Sequence, residues 1–326
     1  MSLALRPATA DDLDEMVALA VAGAEARRAA DPDLWALVAD PAAAIRADLA
    51  AWFEGAGPPV TRRMILARDG GRLAGLVNAI LLPVPPIYAG AEGMPGLILG
   101  DSVLAEDAPE GTGAALLDAA EAALRAEGAK VLLAAALPGS AWEEALAAGG
   151  YVPLTLYLTK GVAPDGGTAR PATEADIPRI VTLSAENRET LHAIDPFWRP
   201  HPEADARFDA WMRRSLTLTD RDMLMPPGEA PEGYSIAQPA TALHVPAGHD
   251  ATRLGVIDDY FHRAFRDPGE LGAGDEATAL LRAAETALAR RGREAVLLVC
   301  PAGWSSKLSL LAEAGYRPGL VWHMRR

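Results

Sequence analysis

Arg6-Pro7-Ala8-Thr9-Ala10-Asp11-Asp12-Leu13 recurs in this chain, 164 residues later, as Arg170-Pro171-Ala172-Thr173-Glu174-Ala175-Asp176-Ile177. The same offset relates Asp31-Pro32 to Asp195-Pro196 and the stretch Ala115-Leu116-Leu117-Asp118-Ala119-Ala120-Glu121 to Ala279-Leu280-Leu281-Arg282-Ala283-Ala284-Glu285. It also relates Gly128 to Gly292, and one residue further on Gly150-Tyr151 matches Gly315-Tyr316. An alanine-rich composition produces any one of these matches, but not five at a nearly constant spacing, so the sequence reads as a duplication. A length of 326 residues suits two domains. They are expected at residues 1–160 and 169–326, joined by a linker at 161–168 whose Gly, Pro and Asp content fits an exposed connection.

Each copy reads as the same succession of elements. Thr9 and Thr173 are N-cap candidates ahead of apolar residues at helical spacing, Leu13, Met16, Val17 and Ala20 in the first copy. A second helix is expected over 42–54, with Ile45, Leu49 and Trp52 on one side. Strands follow at 64–68 and 73–82, separated by the hairpin signal Asp69-Gly70-Gly71. A strand at 97–104 leads to a helix at 113–127, with Leu116, Leu117, Ala120 and Leu124 on one face and Gly128 as its C-terminal cap. A strand at 131–136, a short helix at 141–148 and a strand at 151–158 complete the copy.

Half the residues are apolar and 23% are charged, a globular composition. The charge-free run from Leu73 to Ala91 is interrupted by Asn78, Pro83, Pro85 and Pro86, which fits a buried strand running into a loop better than a membrane span. Met1-Ser2-Leu3 runs directly into a helix-start pattern without a basic segment or cleavage site, so a cytoplasmic protein without a signal peptide is expected. The single cysteine, Cys300, lies in an apolar run and excludes an internal disulfide framework; with six scattered histidines it also argues against a metal cluster. The net charge of −14 argues against a nucleic-acid partner. Residues 1–160 carry −10 of it and residues 161–326 carry −4, so a cationic or amine-bearing substrate is steered toward the first half.

The element order, at about 160 residues per copy, resembles the GNAT N-acyltransferase superfamily, twice over nearly the whole chain. That resemblance implies an α+β, three-layer fold: a mixed, mainly antiparallel sheet flanked by helices. It further implies that the turn after the fourth strand, with the family pattern Arg/Gln-x-x-Gly-x-Gly/Ala, holds the pyrophosphate of acetyl-CoA, a co-substrate. Free backbone N–H groups at a helix start, with glycines that allow close approach, form an anion site on physical grounds alone. The corresponding segment is Ala108-Pro109-Glu110-Gly111-Thr112-Gly113-Ala114. Pro109, Gly111, Thr112, Gly113 and Ala114 are therefore the phosphate-side candidates, and Val103, Leu104 and Ala105 would offer backbone bonds to the pantetheine arm. Ala108 stands where the family carries Arg or Gln, and Asp107 and Glu110 add negative charge. The second copy reads Gly272-Ala273-Gly274-Asp275-Glu276-Ala277, with Asp275 in place of the first motif glycine, and little CoA binding is expected there.

The implied chemistry is direct attack of an amine on a thioester, which needs a base and an acid. Asp101 and Glu106, at the end of the fourth strand, are the base candidates, and Asp101 inside an apolar strand is costly unless paired or used. The family's frequent acid is a tyrosine four residues before the Gly-aromatic pair; Leu146 and Leu311 stand there. Ser102, Tyr151 and Tyr157 are the available substitutes. Trp35, Trp52 and Phe53 in the first half, and Phe197, Trp198 and Trp211 in the second, are pocket-lining candidates. All six histidines lie in the second half, and His262 and His323 are the candidates for a site there. The acceptor is expected to be a small-molecule or peptide amine, the protein a monomer or homodimer, with neither membrane nor metal involved. Two other readings stand beside this one. Gly100-Asp101-Ser102 and Asp259-x-x-His262 resemble two blocks of the GDSL esterases, with Ser102 as nucleophile and His262 as base. A protein that binds or senses acyl-CoA without turnover is the other.

Overall fold

The computed structural model describes residues 3–56, 60–164, 166–270 and 274–326. Gly272 and Ala273 of the second-copy turn, and Asp165 of the linker, lie outside the described residues.

The first half runs β1 (Leu3–Pro7), α1 (Leu13–Ala30), α2 (Pro41–Phe53), β2 (Arg62–Asp69), β3 (Arg72–Leu81), β4 (Gly96–Ile98), β5 (Val103–Leu104), α3 (Thr112–Ala126), β6 (Leu132–Ala136), α4 (Ala141–Ala148) and β7 (Val152–Gly161). The second runs β8 (Arg170–Pro171), α5 (Ile177–Ile194), α6 (Ala204–Ser215), β9 (Asp222–Met225), β10 (Gly233–Pro239), β11 (Leu254–His262), α7 (Gly274–Arg290), β12 (Ala295–Pro301), α8 (Ser305–Glu313) and β13 (Arg317–Arg325).

Two expectations are corrected. The chain begins with a strand, not a helix: β1 pairs with β2 from Leu3↔Asp69 to Pro7↔Ile65. The alternation in so short a segment is masked by the stronger helix signal after it. The strand expected at 97–104 is broken at Leu99–Ser102. There Ser102 Oγ accepts the Asn78 N–H at 3.0 Å, in place of a ladder partner, and the buried Arg27 guanidinium takes the Gly100 carbonyl.

The repeated opening motif is a clamp. Arg6 grips Asp12 through Nη1–Oδ2 at 2.7 Å and Nη2–Oδ1 at 2.5 Å, while Asp12 Oδ2 accepts the Thr9 N–H and hydroxyl, each at 2.9 Å. Arg170, Asp176 and Thr173 repeat it at 2.7–2.8 Å. The clamp fixes the turn from first strand to first helix and satisfies donors at the helix start.

The thirteen strands of the described residues form one sheet, ordered β1-β2-β3-β4-β6-β13-β7-β12-β11-β10-β9-β8, with β5 on β3. The two final strands are exchanged. β13 pairs with β6 from Val321↔Ala136 to Arg325↔Leu132, and β7 pairs with β12 from Ala295↔Gly161 to Pro301↔Thr155. Each half's sheet is thus completed by the other's last strand. The segment after β7 is exposed but pinned to α7: the Thr168 N–H donates to Ala279 O at 3.2 Å and Thr286 Oγ1 to Gly166 O at 3.0 Å.

The segments between the third and fourth strands also cross over. The first-half loop meets the second half where the Ala89 N–H donates to Arg199 O and the His201 N–H to Ile87 O, at 2.8 and 2.9 Å. The second-half loop meets the first where the Val38 N–H donates to Gly248 O at 3.0 Å and the Asp250 N–H to Ala36 O at 2.7 Å.

Candidate functional site

In the first half, α3 opens with Gly111 at φ +83°, a left-handed conformation that disfavours any side chain. The Thr112 N–H turns back to Pro109 O at 3.1 Å and its hydroxyl bonds the same carbonyl at 2.7 Å, while the Ala115 N–H reaches Gly111 O. The N–H groups of Gly113 and Ala114 have no partner among the described residues. They are the free donors of a helix start, at the positive end of its dipole. Asp107 is ion-paired with Arg72, whose guanidinium holds its carboxyl below the usual range, which offsets the negative charge beside the turn. Glu110 stays exposed. Gly113 has a packing role: a Cβ there would sit 3.2 Å from Ala145 and 3.3 Å from Leu104. This chemistry, unpaired N–H groups at a left-handed glycine, fits a phosphate.

Val103 and Leu104 bond to β3 on one side only, and the Ala105 N–H donates to Ala74 O at 2.9 Å. The other edge of β5 has no strand partner among the described residues, because β4 and β6 pair only from Gly96↔Leu132 to Ile98↔Ala134 and then diverge. Asp101 lies at this divergence. Its Oδ2 accepts Asn78 Nδ2 at 2.7 Å and lies 3.6 Å from Arg62, and its Oδ1 is buried without a partner. Ser102 is buried with its hydroxyl committed to the Asn78 backbone, and Glu106 is exposed. Tyr151 and Tyr157 are core residues whose phenols burial pushes up, so both are weak proton donors. Leu146 and Leu311 are fully buried. One turn before them stand the buried, polar-tipped Trp142 of α4 and Lys307 of α8.

The clefts of the two halves differ. Beside Gly100 only about 10 Å³ is open, between Trp35, Leu99, Leu243, His244, Pro246 and Trp322. His249 Nδ1 holds Trp35 O at 3.0 Å, and Tyr157 packs on His244. In the second half a cavity of about 550 Å³ lies at the equivalent divergence, where β11 and β12 part after Ile257↔Leu298. Trp198 and Trp211, both foreseen, line it together with Tyr88 and Phe208. Asp259, marked in the sequence as part of Asp259-x-x-His262, and its neighbour Asp258 also line it. The β10–β11 register shifts here, Ile236 pairing with Asp259 and Ala237 with Ile257, so Asp258 is the extra residue of a bulge. His262 is buried away from the cavity, its Nδ1 accepting the Ala264 N–H at 3.1 Å. His323 is likewise buried, 3.5 Å from Glu143.

At the start of α7 the left-handed residue is Gly274, at φ +73°, followed by Asp275 and Glu276 in the first turn. Two carboxylates there oppose an anion. Cys300 is fully buried and its thiol is pushed up to about 12 by burial. No described helix is long and apolar enough to cross a membrane.

No family model matches the chain, and no curated protein matches it by sequence. Solved structures do. A tandem GNAT protein from the clavulanic acid biosynthesis pathway is 16% identical over 99% of this chain and 98% of its own, with a TM-score of 0.51. A GCN5-related N-acetyltransferase from Sphaerobacter thermophilus is 18% identical over 99% of this chain and 95% of its own, with a TM-score of 0.56. At such identity the likeness is one of fold, and the chain has the tandem GNAT fold.

Proposed function

We propose that the protein is an N-acyltransferase that takes its acyl group from acyl-CoA, with acetyl-CoA as donor, and passes it to the amine of a small molecule or peptide. The first half, residues 1–160, is the acyl-CoA half in this reading, and residues 169–326 form its partner domain. The observation that carries it is the asymmetry of the two helix starts: α3 presents unpaired Gly113 and Ala114 N–H groups behind Gly111, whereas α7 presents Asp275 and Glu276. Pro109, Gly111, Thr112, Gly113 and Ala114 would hold the phosphates, and the free edge of Val103, Leu104 and Ala105 the pantetheine arm. Asp101 would accept the amine's proton through its unpartnered Oδ1, directly or through water. Ser102 would position the strand break through Asn78, and Glu106 would relay protons at the exposed turn. The site of action is the cytoplasm.

One observation favours acyl-CoA binding without turnover: Leu243, His244 and Pro246 close the cleft beside Gly100 to about 10 Å³, too little for an acceptor. Calorimetry with acetyl-CoA, followed by thiol release across an amine panel, separates the readings. Binding lost in Gly111→Asp and thiol release lost in Asp101→Asn are expected for the transferase. Binding with no thiol release from any amine establishes the sensor. Absence of binding by the intact chain sinks both.

A further inference from the structure

The two clefts lie at equivalent strand divergences of the same fold, but about 550 Å³ is open in the second half and about 10 Å³ in the first. The first is closed by the other half. Leu243, His244 and Pro246 belong to the loop between β10 and β11 and sit against Trp35, Leu99 and Gly100.

The base and the tip of this loop are held differently. At the base the Val38 N–H donates to Gly248 O at 3.0 Å, the Asp250 N–H to Ala36 O at 2.7 Å, and His249 Nδ1 holds Trp35 O. Gly248, at φ +93°, lies so close to α2 that a Cβ there would sit 2.9 Å from Ile45. The other end is fixed where the Ala240 N–H donates to Leu254 O at 3.3 Å. Between these anchors the tip closes on itself: the His244 and Val245 N–H groups both donate to Thr241 O, at 2.9 and 3.0 Å, and Thr241 Oγ1 lies 3.0 Å from His244 Nδ1. Among the described residues, 241–246 make no hydrogen bond to residues 1–160. Their hold on the first half is packing alone. Val245 is 4% exposed in the cluster of Trp35 and Leu320, the His244 ring lies 5.5 Å from Tyr157, and Leu243 reaches the cleft while remaining 39% exposed. Such a segment can leave without breaking a backbone bond to the domain it covers, and segments of this kind open at the least cost in a fold. The loop over the second cleft is built the other way, since Ile87 and Ala89 bond to the facing backbone within its own span.

We propose that residues 241–246 are a removable, autoinhibitory plug, which keeps the acceptor out of the first cleft when seated and admits it when displaced. The proposal rests on the first half being the acyl-CoA half. It also accounts for a closed acceptor cleft beside an open phosphate turn: no residue lining the closed cleft belongs to β5 or to the start of α3, so acyl-CoA binds with the plug in place. The acceptor's apparent affinity is reduced by the fraction of molecules that are open.

Thiol chemistry reads the motion without any acceptor, because the one native cysteine, Cys300, is fully buried. Val245→Cys puts a second thiol beneath the tip. With iodoacetamide under native conditions and peptide mass spectrometry, Cys300 in the same molecule reports global unfolding, and the thiol at 245 is expected to be alkylated at least tenfold faster. Alkylation of both at one rate would make the tip a fixed wall and overturn the proposal. In a second chain, Leu243→Gly combined with His244→Gly trims the plug. Thiol release from acetyl-CoA with n-propylamine and benzylamine is expected to rise at least tenfold over the intact chain, with acetyl-CoA affinity unchanged by calorimetry. No rise while acetyl-CoA still binds would overturn autoinhibition. Absence of acetyl-CoA binding in both chains refutes the acyl-CoA reading instead, and the comparison of the thiols at 245 and 300 then decides the plug on its own.

Discussion

The exchange of β7 and β13 makes a quantitative demand on the first half when it is expressed alone. A fragment ending at Gly161 loses β13, and with it Leu320, Val321, Trp322 and Met324, each at most 8% exposed in the intact chain. Leu320, Trp322 and Met324 pack with Leu97, Leu133 and Ala135 in one cluster. Four such side chains contribute about 6 to 12 kcal/mol of burial, an upper figure because the unfolded chain already hides part of this surface. β6 loses its ladder from Leu132 to Ala136, and β7 loses both neighbours. A domain's whole net stability is about 5 to 15 kcal/mol, so the fragment has no margin for a folded monomer. Light scattering behind size-exclusion chromatography, with far-ultraviolet circular dichroism on heating, is expected to show an unfolded chain or a dimer that swaps β7. Co-expression with residues 162–326 is expected to restore a one-to-one complex. A monomeric fragment 1–161 with a cooperative melt near that of the intact chain would refute the reasoning.

The crossover at His249 makes stability sensitive to acid. Burial lowers its imidazole to about 4, so the unfolded chain binds the proton first: the contribution is complete above the ordinary value of 6.5 and is lost as pH falls toward 4, roughly 3 kcal/mol in all. Urea midpoints between pH 7 and 4 should fall more steeply for the intact chain than for His249→Gln. The clamp acts at lower pH, since the Arg170 guanidinium holds the Asp176 carboxyl well below its ordinary 3.8 and its stabilisation is present above that value and lost below it. Asp176→Asn should therefore cost about 1 to 2 kcal/mol at pH 7, as for a lost helix cap, and the difference in urea midpoints should shrink near pH 3. Gly167→Ala should lower the melting temperature markedly, because a Cβ at that left-handed residue would clash with Ala279 O and Ala283 N of α7; an unchanged melt would mean that the segment after β7 is not pinned to α7.

The duplication was legible because its markers are structural devices. Arg6, Thr9 and Asp12 must recur together for the clamp to close, and Gly128 and Gly292 must recur to end α3 and α7 at φ +97° and +76°. Asp69-Gly70-Gly71 named its hairpin for the same local reason, two successive left-handed glycines. Strand exchange leaves no local mark, because β7 and β13 have the same apolar run whichever half they complete. The cavity was half legible: Trp198 and Trp211 were singled out as aromatic, but Asp258 became informative only once the bulge showed which way it faces. Strand pairing aligns Gly96 with Gly255, through Leu132 and Val296, an offset of 159 that no counting from the helices would suggest.

The two halves have parted in complementary ways, and charge explains the direction. A helix start that receives phosphate needs free donors and little negative charge, and α3 meets that need with Gly111, with Thr112 turned back on Pro109, and with Asp107 neutralised by Arg72. The second half differs at the corresponding places: Asp275 and Glu276 open α7, and Asp258 and Asp259 line its cavity together with Lys307 and Arg214. The crossed loops set how open the two clefts are: Leu243, His244 and Pro246 close the first, whereas the proline-stiffened Pro85-Pro86-Ile87-Tyr88 segment borders the second without filling it.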